Sequence, residues 1–141
     1  MFKFSRNFEY ALIALKHIAS KKGKKISTAR EISTQYSLSF NLMARIMVVL
    51  KNGNIVTSIQ GTNGGYTLNK CVNKLSILDL MQIISGQPLF LTSCLANNEG
   101  EKKKCKTKPE KCNIFDSVKD IQKKIYNVIN EISLNEVFES D

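Results

Sequence analysis

The sequence predicts a mainly α-helical fold with one small β-hairpin, arranged as a winged helix-turn-helix that is followed by a long C-terminal dimerisation helix. Two observations lead to this prediction. Three short amphipathic segments come first, and an alternating, glycine-rich hairpin pattern follows them. Near the C-terminus, residues 114–132 carry apolar side chains with a seven-residue repeat. A chain of 141 residues has room for one compact core and one appended element.

Each of the first three helices begins at a residue type that caps helices. Ser5 precedes apolar residues at three- and four-residue spacings. Thr28 is followed by Glu31, as in a capping box, and Ser39 follows a short turn. The predicted helices run from Ser5 to Lys21–Gly23, from Ala29 to Tyr36, and from Ser39 to about Lys51.

The next segment has the pattern of a β-hairpin. Ile55–Ile59 is rich in β-branched residues, Gln60–Gly65 supplies turn residues, and Tyr66–Leu68 returns as a second strand. A winged helix carries its wing at this place in the chain. The Gly61–Gly65 loop lacks the Gly-Lys-Ser/Thr ending of a phosphate-binding loop, so its glycines are better explained by a tight turn.

The final helix is predicted from a narrow apolar seam whose members are spaced 4-3-4-3-4. Such a seam is typical of one helix pairing with another, and we predict a homodimer with its interface there. The alternative is that the helix packs back on its own head domain. The seam consists of Ile114, Val118, Ile121, Ile125, Val128 and Ile132.

These patterns divide the chain into four predicted parts. A fourth helix, capped by Ser76 and Asp79 and ended by Gly86, closes the first part. The parts are a winged helix-turn-helix domain over residues 1–86, a cysteine-rich loop over 87–112, a dimerisation helix over 113–136 and a tail over 137–141.

The net charge of +9 and the pI near 9.5 point to a polyanionic partner, and nucleic acid is the first candidate. Residues 1–70 carry a net charge of +9, residues 71–112 carry +3 and residues 113–141 carry −3. The surface that meets the polyanion therefore belongs to the first half. Neither a membrane span nor a signal peptide is recognisable, so we expect a cytoplasmic protein that does not engage a membrane.

A third helix lying in the major groove of double-stranded DNA presents its N-terminal residues to base edges. Arg45 suits guanine, and Asn41 suits adenine or a phosphate. Lys3 and Lys51 are read as phosphate contacts that make binding dependent on salt. The full set of predicted DNA-binding residues is Arg6 and Arg30 on phosphates, Ser39, Asn41, Leu42 and Arg45 on the third helix, and Gln60, Thr62, Asn63 and Gly64 on the wing, with Ala44 as a further base-facing position.

Cys94, Cys105 and Cys112 fall within nineteen residues of a lysine-rich segment that has no periodicity. The lysines favour the thiolate form, and thiolates bind zinc and iron-sulfur clusters. The spacing names neither metal. Three ligands leave one position open for a fourth ligand from elsewhere in the protein.

Taken together, several motifs resemble the IscR/NsrR/RirA family of winged-helix transcription regulators. They are the opening Phe4–Leu12, the wing Ser58–Leu68 with its Gly-x-x-Gly-Gly-Tyr core, the three cysteines and the long final helix. The resemblance covers roughly residues 2–136. Gln60 stands where related regulators often have arginine, Ala44 stands where some have glutamate, and the interval between Cys94 and Cys105 is longer than usual.

The resemblance implies a homodimer that binds a partly palindromic DNA operator under the control of a 2Fe-2S or 4Fe-4S cluster. It also implies that Glu9, just before Tyr10-Ala11-Leu12, is the fourth ligand of the cluster and serves the other subunit. His17 on the same helix face is an alternative ligand. With one histidine in the chain and this resemblance, we do not expect an enzyme.

Three other readings use the same residues. The first two keep the regulator but replace the cluster with a zinc ion or a thiol switch on the same cysteines, or make it a cluster-independent repressor. The third, an iron-sulfur electron carrier or enzyme subunit, leaves the helix-turn-helix, the wing and the basic first half unexplained.

Overall fold

The computed structural model describes residues 3–21, 26–69, 72–97 and 99–140. These residues form two compact units. The first, called the head unit, comprises Met1–Leu75 and Ser133–Asp141, and the second, called the helical unit, comprises Ser76–Ile132. Each unit is described by itself.

The head unit is built on three helices that begin at the predicted caps. They are α1 (Arg6–Ser20), α2 (Ala29–Gln35) and α3 (Phe40–Asn52). The side chains of Ser5, Thr28 and Ser39 each accept a hydrogen bond from the backbone N–H three residues later, which satisfies a donor that a helix start leaves unpaired. The predicted end of α1 at Lys22 and Gly23 lies outside the described residues.

The three helices share one apolar core. Helix α3 packs against both α1 and α2, and the turn between α2 and α3 is closed by a hydrogen bond from the backbone N–H of Leu38 to the carbonyl of Ser33. Ser37 in this turn has φ +54°, a conformation uncommon outside glycine. The core is formed by Phe8, Ala11, Ala14, Leu15, Ile18, Ile32, Met43, Ile46, Met47 and Leu50.

The wing is an antiparallel hairpin of β1 (Val56–Ile59) and β2 (Gly65–Leu68), in which Val56 pairs with Leu68 and Ile59 with Gly65. Ser27 extends the sheet through two backbone hydrogen bonds with Tyr66, at 2.9 and 2.8 Å. Gly65 lies so close to this bridge that an added Cβ would sit 2.8 Å from the Ser27 carbonyl oxygen. The predicted mainly α fold with a hairpin wing is thereby confirmed.

The helical unit contains α4 (Ile77–Ser85) and α6 (Phe115–Glu131), which pack together. Helix α4 starts with the predicted capping box, in which the side chains of Ser76 and Asp79 each accept a hydrogen bond from the other's backbone N–H. It ends at Gly86 with φ +71°. The backbone N–H of Ile77 also donates to the Ile132 carbonyl. Helix α4 therefore belongs to the same unit as α6, whereas the sequence boundary at residue 86 groups it with the head.

The predicted helix over residues 113–136 is divided in two by the structure. Helix α6 stops at Glu131, and a second helix, α7 (Leu134–Glu139), begins at a capping box of Ser133 and Glu136. Helix α7 contacts α1 in the head unit, and its fully buried Leu134 donates a backbone hydrogen bond to the Leu75 carbonyl. The break follows because Ser133 offers the chain a new helix start. The predicted tail is thus mostly helix, and Asp141 lies outside the described residues.

The segment over residues 87–112 contains short helical turns. They are 3-10 helices at Ser93–Leu95 and Pro109–Lys111 and the single-turn helix α5 (Glu99–Lys102). Among the described ranges, the helices are too short or too polar to cross a lipid bilayer.

Candidate nucleic-acid interface and cysteine segment

The outward side of α3 carries a continuous strip of exposed residues, called here the outer strip: Asn41, Arg45, Val48 and Asn52. Their three- and four-residue spacings place them on one helix face, opposite the side that packs into the core. Asn41 and Arg45 are therefore exposed to solvent, while Leu42 and Ala44 are half-buried beside them.

Val48 is 48% exposed and was not among the predicted site residues. Sequence rules usually assign an apolar side chain to the core. Val48 nevertheless lies seven residues after Asn41, which places both on the same helix face. Among base edges, the methyl group of thymine is the apolar partner that such a side chain contacts.

The start of α3 is held by two side-chain contacts. The Ser39 hydroxyl accepts a hydrogen bond from the Leu42 N–H at 3.3 Å, and the Ser39 N–H donates to the Tyr10 hydroxyl at 3.2 Å. Ser39 is thus a helix cap, and Tyr10 ties the start of α3 to α1. The sequence gives no local signal for Tyr10, because its partner lies 29 residues away in the chain.

Two predicted phosphate contacts are exposed on the head unit. Arg6 is the first residue of α1, and Arg30 lies in the first turn of α2. The Arg30 guanidinium carbon stands 3.8 Å from the centre of the Phe40 ring. Phe40 is the first residue of α3. Its contact with Arg30, like that of Tyr10 with Ser39, was not predicted from the sequence.

The predicted wing residues Gln60, Thr62 and Asn63 are exposed at the hairpin tip. Gly64 supports this turn, because a Cβ there would overlap the Ile59 carbonyl oxygen and lie 2.9 Å from that of Gly61. Its N–H donates to the Gly61 carbonyl. The role of Gly64 in the structure is therefore to let the tip close tightly.

His17, the alternative metal ligand, is buried and has partners on both ring nitrogens. Nδ1 lies 3.1 Å from the Tyr36 hydroxyl, and Nε2 lies 3.0 Å from Oε1 of Glu31. The Lys21 ammonium is 2.6 Å from the same carboxylate oxygen and also donates to the Ile26 carbonyl. Glu31 therefore links α1 to α2 and leaves the predicted Thr28 capping box half formed.

Two opposing effects set the pKa of Glu31. Partial burial raises it, but the hydrogen bonds and positive charges of Lys21 and His17 together outweigh burial and hold the pKa below its usual value of 4.5. The charged form of Glu31 is consequently favoured in the folded protein.

The three cysteines of the 87–112 segment are half-buried free thiols. Cys94 Sγ lies 3.0 Å from the Thr92 hydroxyl, and Cys105 Sγ donates to the Thr107 carbonyl at 3.3 Å. Cys112 follows the last 3-10 turn of the segment. The fourth cysteine, Cys71, lies outside the described residues.

Thiols in a lysine-rich segment are suitable donors for an iron-sulfur cluster. Within the described ranges, however, no three His, Cys, Asp or Glu side chains are grouped closely enough to hold a metal ion. Glu9 is an exposed residue of α1 in the head unit, and the three cysteines belong to the helical unit. The thiol donors of this segment fit an iron-sulfur cluster.

Comparison with known proteins supports the fold and the class of function. The family model of Rrf2, described as an iron-dependent transcriptional regulator, matches residues 4–140. Among solved structures, CymR (YrzC), the global cysteine regulator of B. subtilis, is 22% identical, with a TM-score of 0.69 and full coverage of both chains, 100% and 100%.

Two further solved structures have the same fold. The oxidized form of Staphylococcus aureus CymR is 18% identical, with a TM-score of 0.68 over 99% of this chain and 98% of that chain. T. potens IscR is 20% identical, with a TM-score of 0.68 over 98% of this chain and 87% of that chain.

The Glu31 ion pairs predict a pH-dependent stability difference. Glu31→Gln keeps the shape of the side chain and removes its charge, so near pH 7 it should lower the free energy of unfolding by about 0.5–1 kcal/mol, as expected for a pair that is partly solvent-exposed. Because the folded-state pKa lies below 4.5, this difference is present above pH 4.5 and is lost as the pH falls through the folded-state value.

Urea unfolding of both proteins near pH 7 and near pH 3 measures the effect, with Glu110→Gln, an exposed carboxylate of the helical unit, as the control. The control should change stability by less than about 0.5 kcal/mol. An equal loss for Glu31→Gln at both pH values would contradict the assignment to its charge.

Proposed function

Because the chain belongs to the Rrf2 family of transcriptional regulators, we propose that it binds a partly palindromic DNA operator as a homodimer and that an iron-sulfur cluster controls this binding. The family assignment confirms the resemblance seen in the sequence motifs. Rrf2 proteins are DNA-binding transcriptional regulators rather than enzymes. The observation that carries the proposal is the outer strip of α3, which exposes Asn41 and Arg45 in a head unit whose wing also has an exposed polar tip.

In the proposed complex, α3 enters the major groove and the wing lies along the backbone or the minor groove. Arg45 donates two hydrogen bonds to guanine, and Asn41 pairs with adenine or holds a phosphate. Arg6 and Arg30 contact phosphates, which fix the register of the head on the duplex without reading its sequence. Gln60, Thr62 and Asn63 make the wing contacts, and Ser39 and Gly64 hold the two elements in shape.

The homodimer is supported by an apolar stripe on α6, which consists of Ile114, Ile121, Val128 and Ile132. These side chains are between 38% and 61% exposed, and three of them follow one another at seven-residue intervals. Val118 and Ile125 lie next to the stripe and are half-buried. A heptad stripe of this kind matches a second copy of itself, so the proposed occupant is α6 of another subunit.

The proposed cluster ligands are Cys94, Cys105 and Cys112, with Glu9 supplied by the other subunit. A bound cluster would make DNA binding sensitive to iron-sulfur status, redox signals or nitric oxide. The helical unit offers a route from this segment to the stripe, because the backbone N–H of Leu91 donates to Oε1 of Gln122 at 2.9 Å. Gln122 is next to Ile121, so ordering the cysteine segment would bear directly on α6.

A zinc ion or a thiol switch is the second candidate for the same cysteines. The observation that favours the thiol switch of these two is that Cys94 and Cys105 are free thiols with separate oxygen partners, the Thr92 hydroxyl and the Thr107 carbonyl, whereas a zinc ion needs its sulfur ligands to converge. A solved structure of the same fold is an oxidized form of CymR. A cluster-independent repressor is the remaining alternative.

The DNA-binding proposal predicts a base-specific loss for Arg45→Ala. The variant should bind the promoter upstream of its own gene more weakly by about 1–3 kcal/mol and should lose discrimination at one base pair. Fluorescence anisotropy at fixed salt, against the promoter and its single-base variants, measures both effects. Lys123→Ala on α6 removes the same charge and should leave affinity nearly unchanged. A uniform loss across all sequences would make Arg45 a phosphate contact instead.

The dimer proposal predicts that Ile121→Glu converts the protein to a monomer, because a charge would replace an apolar side chain in the buried seam. Light scattering after size-exclusion chromatography at micromolar concentration gives the mass. Asn127→Glu places the same charge on an exposed position of α6 away from the stripe and should leave a dimer. A wild-type protein that is monomeric in this measurement would contradict the proposed dimer interface.

The cluster proposal predicts a brown protein after anaerobic reconstitution, with visible absorption and acid-labile sulfide. Cys105→Ala and Glu9→Ala should lose this absorption, and DNA affinity should differ between cluster-loaded and cluster-free protein. A colourless protein with stoichiometric zinc supports the zinc alternative. A metal-free protein whose DNA affinity changes with oxidation supports the thiol switch, and an affinity independent of both supports the cluster-independent repressor.

A further inference from the structure

The contact between Arg30 and Phe40 joins the two helices of the helix-turn-helix at their N-terminal ends. Arg30 lies in the first turn of α2, and Phe40 is the first residue of α3. The guanidinium carbon is 3.8 Å from the centre of the ring, well inside the range of about 6 Å for an attractive cation–π contact.

Stacking constrains the guanidinium without consuming its hydrogen-bond donors. The N–H groups of arginine lie in the plane of the group and point outward from its edge, so a ring beneath the plane leaves them available to a planar anion or a phosphate. An exposed arginine otherwise loses side-chain entropy when a ligand fixes it. The Phe40 ring restricts Arg30 before any ligand binds.

The Arg30–Phe40 pair lies at the start of α3. Phe40 lies between Ser39, the helix cap, and Asn41, the first residue of the outer strip. Arg30 is exposed and lies over the Phe40 ring, on the part of the head unit that the proposed complex turns toward the duplex. The ligand that suits a preoriented guanidinium there is a backbone phosphate of double-stranded DNA.

We propose that Phe40 is a positioning residue for DNA binding, which holds the Arg30 guanidinium by stacking so that it clamps one phosphate at the start of α3. This inference rests on the proposed function, because it requires the head unit to bind DNA. Phe40 would then contribute to affinity but not to sequence preference, and it would act only through Arg30.

The test is a double-mutant cycle on operator and on unrelated DNA. Arg30→Ala should weaken binding to both by roughly tenfold and make the slope of log affinity against log salt shallower by about one. Phe40→Leu keeps an apolar side chain of similar size and should weaken binding to both about two- to fivefold, the range of an exposed cation–π contact. In the Arg30→Ala background, Phe40→Leu should have no further effect.

Two conservative variants separate stacking from shape and from charge. Phe40→Tyr keeps the ring and should restore wild-type affinity. Arg30→Lys keeps the charge but lacks the planar group, so it should resemble Phe40→Leu. Lys123→Ala on α6 is the control for a single lost charge. Matching thermal unfolding curves for all variants would establish that the fold is retained.

Equal losses for Phe40→Leu with and without Arg30, or failure of Phe40→Tyr to restore affinity, would assign Phe40 a role independent of Arg30 and overturn the inference. A wild-type protein that shows no salt-dependent binding to any duplex would instead refute the proposed function. Salt-dependent wild-type binding with no effect of Phe40→Leu would refute only the positioning role.

Discussion

The burial of one side of α3 is the constraint on which the rest of the head unit depends. Met43, Met47 and Leu50 are fully buried, and Ile46 nearly so, against helices α1 and α2. Because a helix repeats every 3.6 residues, fixing these four inward leaves one possible outward face. The residues available to a DNA groove follow from apolar packing, and no polar contact is needed to choose them.

Much of this arrangement was predictable because its signals are local in the chain. A serine or threonine at a helix start caps the backbone N–H three residues later, so the signal needs only neighbouring residues. Ser5, Ser39 and Ser76 all cap a helix in this way. Gly64 is equally local, since the turn itself leaves no room for a Cβ. Ser133 carries the same signal, but it directly follows Ile132, the last residue of the heptad seam, so the sequence predicts one continuous helix over residues 113–136.

Contacts between helices were the part that the sequence did not reveal. His17 and Glu31 are 14 residues apart, and Arg30 and Phe40 belong to different helices, so no period or spacing connects them. Glu31 shows the consequence. Its spacing from Thr28 fits a capping box, but the nearby Lys21 ammonium offers a charged partner, and a ring nitrogen of His17 lies 3.0 Å from the same oxygen. Tertiary contacts therefore redirected a side chain that local rules assign elsewhere.

The head unit is explained by contacts within one chain. The helical unit differs, because its two most informative features lack a binding partner within the described part of the chain. The apolar stripe on α6 is exposed to solvent, and the three cysteines are free thiols. In the proposed function, a second α6 covers the stripe, and a metal or an oxidant acts on the thiols. The Leu91–Gln122 hydrogen bond places these two incomplete features on adjoining elements. Suppose that a ligand orders the cysteine segment in one state of the dimer more than in the other. By linkage, the two states then bind the ligand with different affinities, and the ligand shifts the equilibrium between them. Regulation of the proposed kind needs no contact between the ligand and DNA, only a difference in how the two α6 helices pair.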